Sequence, residues 1–331
     1  MPQPFALLFP GQGAQSVGMG KELAEAFPSA KARFEEADSI LGYEISKLCW
    51  EGPAEELTRT EHCQPALYVT SMAALAALEA ECQRGQTPRG LTPVAAAGLS
   101  LGEYTALAAA GAVSFADGLK LVRLRGQVME EAARARPGTM ASVLGLDLEQ
   151  LQGVCAETGA QVANLNSPGQ VVISGTAESV IAASAKAKER GAKRVIPLEV
   201  GGAFHSRLME PAGLRLRKAL QATAVQAPRY PVASNVTGAY HEAGARGSAA
   251  THLSAEEAGK IRELLVRQLT EPVQWIACVR TMAQNGIKTY IEVGSGTVLK
   301  GLVRKIDPEA TVHSAGTPEE IRSLTNQTGW L

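Results

Sequence analysis

Long apolar runs are missing from this 331-residue sequence, and none approaches the roughly 20 residues that a membrane-spanning helix needs. Paired cysteines are missing too. Cys49, Cys63, Cys82, Cys155 and Cys278 are scattered, odd in number and without a C-x-x-C spacing, which excludes a disulfide framework, gives zinc no ligand set and points to a reducing compartment. There is no excess of charge: 32 Lys and Arg face 33 Asp and Glu, for a net charge of −1. A near-neutral chain is not a bulk electrostatic binder of nucleic acid or of an anionic membrane. Repeats and low-complexity tracts are absent. The opening MPQPFALLFPGQG has no basic n-region and too short an apolar run for a secretory signal. The expected location is the cytoplasm, or a plastid stroma if a transit peptide has been removed. What is present is an ordinary globular composition, 45% hydrophobic and 20% charged, enough for about two domains at roughly 150 residues each.

The apolar run from Phe5 to Phe9 stops at Pro10-Gly11 and reads as a buried strand entering a tight loop. A helix is predicted from Gln64 to Glu81, with Pro65 in its first turn. Val94 to Ala97 then meets Gly98-Leu99-Ser100-Leu101-Gly102 and the helix-forming stretch Glu103 to Ala110. A further helix runs from about Phe115 to Arg134. From Thr139 to Leu198 the rhythm changes to strand, helix, strand, strand, helix, strand. Asn166-Ser167-Pro168-Gly169 forms the turn between the two middle strands. That βαββαβ order is the ferredoxin-like signature. It divides the chain into a large domain, residues 1–136 and 204–331, and an inserted small domain, residues 137–203. Further on, a strand is expected near Pro231 to Val236, a loop from Gly238 to Ser248, and a solvated tail over the last dozen residues.

Gly98-x-Ser100-x-Gly102 has the form of a nucleophile elbow, in which a sharp strand-to-helix turn lifts the serine oxygen above the sheet. Locally it reads equally well as a serine helix N-cap. A nucleophile needs a base. His62 reads as a surface position, His241 as part of the glycine-rich loop, and His252 precedes a helix. His205 lies directly after the inserted unit, where two domains would form a cleft, and is the best candidate. Arg125 is the most informative residue. Its helical neighbours Leu121, Val122, Val128 and Met129 are all apolar. A guanidinium on such a stripe must meet a carboxylate, line a cleft or snorkel to the edge. Gln268, just before a helix stops near Pro272, reads as a weaker candidate of the same kind.

These segments occur in a recognisable order: Pro10-Gly11-Gln12-Gly13-Ala14-Gln15, Gly98-x-Ser100-x-Gly102-Glu103, Arg125-Gly126, Asn166-Ser167-Pro168-Gly169-Gln170 and Ala203-Phe204-His205-Ser206. Gln268 before Pro272-Val273-Gln274-Trp275 and Glu292-Val293-Gly294 complete the set. From about Phe5 to Gly316 the chain resembles the malonyl-CoA:acyl carrier protein transacylases of bacterial-type fatty acid synthesis and the related acyltransferases of polyketide synthases. The resemblance implies an α/β fold: an α/β-hydrolase-like large domain with the inserted ferredoxin-like unit. It implies an enzyme that moves a malonyl group from malonyl-CoA to the phosphopantetheine thiol of acyl carrier protein through a malonyl-serine. Ser100 would be the nucleophile and His205 the base, oriented by Gln268 and the backbone nearby. The N–H groups of Gln12 and Leu101 would form the oxyanion hole. Arg125 would pair with the malonyl carboxylate, with Phe204 and Asn166 beside the acyl group. Phe204 fits a pocket that excludes an α-methyl branch. No cofactor or metal and a monomeric state are expected.

One departure stands out. Many relatives have histidine directly before the serine, and here that residue is Leu99. Hydrolysis by the same elbow is the rival chemistry, and a carrier-binding scaffold without activity is the non-enzymatic alternative. Arg125 argues against a neutral-ester hydrolase, and Ser100, His205 and Arg125 together argue against the scaffold. Two basic clusters are candidate docking surfaces for an acidic carrier: Lys186, Lys188, Arg190, Lys193 and Arg194, and Lys300, Arg304 and Lys305.

Overall fold

The structure, a computed structural model, describes residues 3–84, 90–241 and 253–326. In chain order its elements are β1 (Phe5–Phe9), α1 (Lys21–Ala26), α2 (Pro28–Leu41), α3 (Ile45–Glu51), α4 (Ala54–Thr58), α5 (Thr60–Arg84), β2 (Ala95–Gly98), α6 (Leu101–Ala109) and α7 (Phe115–Ala135). Then come β3 (Thr139–Leu144), α8 (Leu148–Thr158), β4 (Gln161–Ser167), β5 (Gln170–Gly175), α9 (Ala177–Glu189) and β6 (Arg194–Pro197). The last group is α10 (Glu210–Ala222), α11 (Ala255–Arg267), α12 (Trp275–Gln284), β7 (Thr289–Val293), α13 (Val298–Ile306), β8 (Thr311–Ala315) and α14 (Pro318–Asn326).

One sheet is parallel, in the order β2-β1-β7-β8. Strands β1 and β2 are apolar without alternation because both faces are covered. Phe5, Leu7 and Phe9 of β1 join the core built with α2, α5 and α7, while Ala6 and Leu8 join the core built with α12 and α13. The second sheet is antiparallel, in the order β4-β5-β3-β6. This is the strand order that βαββαβ connectivity produces when the second βα unit interleaves with the first. Ala141, Val143, Val171 and Ile173 face α8 and α9, and the alternate residues Met140 and Val172 face the large core. The α/β class and the small antiparallel sheet expected from the sequence are both present.

Three local expectations fail. Helix α5 starts at Thr60 rather than Gln64, so Pro65 lies inside it. The extra turn is held by Glu130, which accepts from the Glu61 backbone N–H at 3.1 Å. Residues 231–236 form no strand, only single bridges at Val232 and Ala233. There the chain turns away to place Asn235 under the serine turn. The tail is also more ordered than expected: α14 buries Ile321 and Leu324 against α5 and β8, and residues 327–331 lie outside the described set. Most of the predicted 238–248 loop and His252 lie outside it as well.

Candidate active site

Strand β2 is built from alanine and glycine because the chain must turn sharply at its end and pass close to β1. A Cβ on Gly98 would lie 1.9 Å from the Gly102 carbonyl, and one on Gly102 would lie 2.1 Å from the Phe9 carbonyl oxygen. Both neighbours are backbone and cannot swing aside. Gly102→Ala is therefore expected to cost about 1–3 kcal/mol or more through overpacking. Its Tm should fall by about 1.5–4 °C in a thermal melt. An unchanged Tm would mean that the elbow can open without loss.

Between these glycines Ser100 adopts φ 54°, ψ −103°, and its side chain makes no capping bond to α6. The N-cap reading is thereby excluded. The strained turn is held from below. Asn235 Oδ1 accepts from the Ser100 backbone N–H at 2.6 Å, and Asn235 Nδ2 donates to the Gly98 carbonyl at 2.8 Å. Gln268 Nε2 donates to the Ser100 carbonyl at 3.0 Å.

The Ser100 hydroxyl meets two residues. His205 Nε2 is 2.8 Å away, and Arg125 Nη2 donates to it at 3.1 Å. His205 Nδ1 lies 2.7 Å from the Gln268 backbone carbonyl. A carbonyl only accepts, so Nδ1 carries the proton and Nε2 keeps the lone pair facing the serine. Burial, reinforced by the Arg125 guanidinium, pushes the His205 imidazole down from 6.5 to about 4. At neutral pH the ring is uncharged.

Arg125 is 1% exposed, so it does not snorkel out. Its partners are all neutral: Gln64 Oε1 at 2.8 Å, Gln268 Oε1 at 2.9 Å and the serine hydroxyl. Its face lies over the Tyr104 ring at 5.3 Å, and its Nε has no partner among the described residues. Burial pulls its pKa below the usual value. A buried cation with donors to spare and no carboxylate in contact is a site prepared for an anion.

A cleft of about 290 Å³ opens above these groups. Gln12, Leu99, Ser100, Leu101, Arg125, Asn166, Phe204 and His205 all line it, as do Met129 and Met140. Asn166 Oδ1 is buried without a partner among the described residues. Gly11 lets the 10–15 loop approach the elbow, since a Cβ there would lie 2.3 Å from the Leu99 carbonyl oxygen. Ser295, after β7, fixes that loop by donating from Oγ to the Ala14 carbonyl at 2.7 Å. Ser100, His205, Arg125, Gln12, Leu101, Phe204 and Asn166 thus gather at one cleft, and Gln268 acts from behind its wall.

Sequence reasoning missed four residues. Gln64 holds Arg125, and Asn235 holds the elbow. Glu103 and His241 form a fully buried pair at 2.9 Å, so His241 is not part of an exposed loop. A lone charge in the Leu101–Ala109 helix was the one signal available. His62 is half-buried, with Nδ1 on the Glu56 carbonyl at 3.1 Å.

The acyl transferase domain family matches residues 6–325. The chain belongs to that family. This acyl transferase domain is 46% identical over 321 residues to the malonyl CoA-acyl carrier protein transacylase of Bacillus subtilis (strain 168), covering 96% of this chain and 94% of the relative. Its fold is similar to the solved malonyl-CoA:acyl carrier protein transacylase of Xanthomonas oryzae pv. oryzae, with a TM-score of 0.87, 42% identity and coverage of 98% and 99%. It is also similar to a malonyl-transacylase solved in complex with its type II polyketide acyl carrier protein, with a TM-score of 0.88, 36% identity and coverage of 98% and 100%. Among the described residues of this acyl transferase, no helix is long and apolar enough to cross a membrane.

Proposed function

We propose that this acyl transferase is an acyl-carrier-protein S-malonyltransferase, taking malonyl-CoA and acyl carrier protein as its two substrates and supplying fatty acid or polyketide chain extension. The observation that carries this reading is Arg125, a buried guanidinium touching the nucleophile's hydroxyl with only neutral partners of its own.

The chemistry follows from the geometry. Ser100 Oγ passes its proton to His205 Nε2 as it attacks the thioester carbonyl. The N–H groups of Gln12 and Leu101, the latter at the N-terminus of α6, receive the developing oxyanion. The tetrahedral intermediate expels the CoA thiolate, which takes the proton from His205 and leaves malonyl-Ser100. The phosphopantetheine thiol of the carrier then gives its proton to His205, attacks the ester and restores the serine. The electron pairs and protons balance within these groups, so the reading needs no metal or redox cofactor. Throughout, Arg125 holds the malonyl carboxylate, Phe204 and Asn166 border the acyl group, and the Gln268 carbonyl keeps the His205 tautomer. We read residues 137–203 as the inserted unit that forms the far wall, through Met140, Asn166, Val172 and Val200.

A monomer that binds no nucleic acid and works in the cytoplasm completes the proposal. The resemblance supports the monomer, the net charge of −1 the absence of nucleic acid, and five free cysteines a reducing location. For carrier docking, Lys186 and Arg190 are already paired with Glu157, and Lys305 donates to Gln170. Lys188, Lys193, Arg194 and Arg304 remain exposed for an acidic carrier.

Intact-mass measurement after malonyl-CoA, and again after carrier protein, tests the function: a malonyl mass should appear on the enzyme and then move to the carrier. Loss of the label to water instead would make the protein a hydrolase. The pH profile gives a separate check. A base held at about 4 stays unprotonated through neutrality. Acylation should therefore hold steady from pH 7 down to about 5 and fall only as the pH drops through about 4. A midpoint near the ordinary histidine value would mean that burial and Arg125 do not hold the His205 imidazole down in the working enzyme.

A further inference from the structure

Behind the nucleophile, the buried Glu103–His241 pair has no part in the steps above. Glu103 Oε1 faces His241 Nε2 at 2.9 Å. Glu103 Oε2 accepts from Gln268 Nε2 at 2.6 Å and from the Asn235 backbone N–H at 3.1 Å. A carboxylate only accepts, so His241 Nε2 carries a proton and donates it. The His241 backbone N–H is itself tied to the Val232 carbonyl at 2.9 Å, which seats the ring.

The consequence falls on Gln268. The two ends of a side-chain amide are nearly the same size, and only their partners decide which way the group points. Facing Glu103 at 2.6 Å and the Ser100 carbonyl at 3.0 Å, the amide must present Nε2, because its oxygen would meet other acceptors, and the charged and nearer of the two is Glu103. That leaves Oε1 toward Arg125, which donates to it at 2.9 Å. In the flipped amide, an NH₂ would oppose the guanidinium, donor against donor, and push Arg125 off its line to the cleft.

We propose that His241 is a positioning residue for acyl transfer: by holding Glu103 it fixes the Gln268 amide and so aims Arg125 at the acyl carboxylate. This rests on the malonyl-transfer reading above. It predicts selectivity rather than bare activity, because acetyl-CoA offers Arg125 no carboxylate.

The test is single-turnover acylation of the full chain by malonyl-CoA and by acetyl-CoA, read by intact mass. In His241→Leu the Oε1 oxygen of the carboxylate loses its donor, while Oε2 keeps Gln268 and the Asn235 N–H. Malonyl acylation should slow about 10-fold and acetyl acylation no more than about threefold, so the malonyl-to-acetyl ratio falls by at least ~3-fold. His241→Gln, whose amide can donate to Oε1, should bring the ratio back to within about twofold of wild type. If circular dichroism shows that His241→Leu does not fold, Glu103→Gln carries the test, since it keeps the shape but offers one acceptor oxygen in place of two. The same fall in ratio is expected. Equal loss with both donors in the folded variant, or an unchanged ratio, overturns the proposal. Wild-type protein that takes no malonyl group overturns the function itself, a different result from normal malonyl acylation that ignores His241.

Discussion

Ser100→Ala should leave no malonyl-enzyme. The substitution removes one oxygen and keeps the Cβ, so the unusual backbone at φ 54° is not strained further. The turn itself hangs on backbone groups, the Ser100 N–H on Asn235 and the Ser100 carbonyl on Gln268, and these survive. The variant should therefore fold normally and lose only the chemistry. Transfer to carrier should drop by on the order of 10⁶-fold, the scale found when a serine nucleophile is removed from an intact site. Cysteine acylation offers no easy escape route, because all five thiols are buried. Mass spectrometry after incubation with malonyl-CoA decides the matter. A malonyl group found on any other residue would displace Ser100 as nucleophile.

Arg125→Ala should separate malonyl from acetyl. A planar guanidinium can give a carboxylate two charge-assisted hydrogen bonds in this buried cleft, each worth about 1.5–3 kcal/mol. At about 1.4 kcal/mol per factor of ten, malonyl transfer should fall by roughly 10²-fold or more. Acetyl-CoA should suffer far less, since no guanidinium is then left beside its methyl group without a carboxylate. Arg125→Lys should recover only part of the loss, because a point charge cannot reproduce the fork. Arg125→Ala also removes a cation that depresses His205, so the acid limb of acetyl acylation should move toward neutral pH. Parallel rates for both donors, with the fold intact, would make Arg125 a structural residue.

The legible part of this site was the part written in local pattern. Ser100 sits in a glycine-flanked turn, Arg125 interrupts an apolar helical stripe, and His205 follows the end of a βαββαβ unit. Each is odd within its own ten residues, and the ordered motifs then supplied a family. The illegible part depends on which distant polar groups find each other. Asn235 follows a short apolar stretch that resembles a strand, and only the elbow it supports explains why the strand breaks off. His241 sits among glycines that normally mark solvated chain, yet it is pinned to Val232 and buried against Glu103. Nothing near either residue in sequence announces a partner more than 100 positions away. The α14 helix was missed for a simpler reason: its charged residues face solvent, and two buried side chains, Ile321 and Leu324, were too few to show a stripe.

The place of β1 in the parallel sheet has a consequence for how the protein is made. It precedes both of its neighbours in the sequence, yet it ends as an interior strand, with Ala6 opposite Ala95 and Phe5 opposite Thr289. Until β7 emerges, one side of β1 presents unpaired N–H and C=O groups along an apolar strand, the form of edge most prone to join another chain. The nascent polypeptide must keep that edge covered while residues 10–288 are made. Catalytic competence arrives just as late, because the loop carrying Gln12 is pinned by Ser295. A chain stopped short of β7 would therefore be a client for chaperones rather than a slower enzyme.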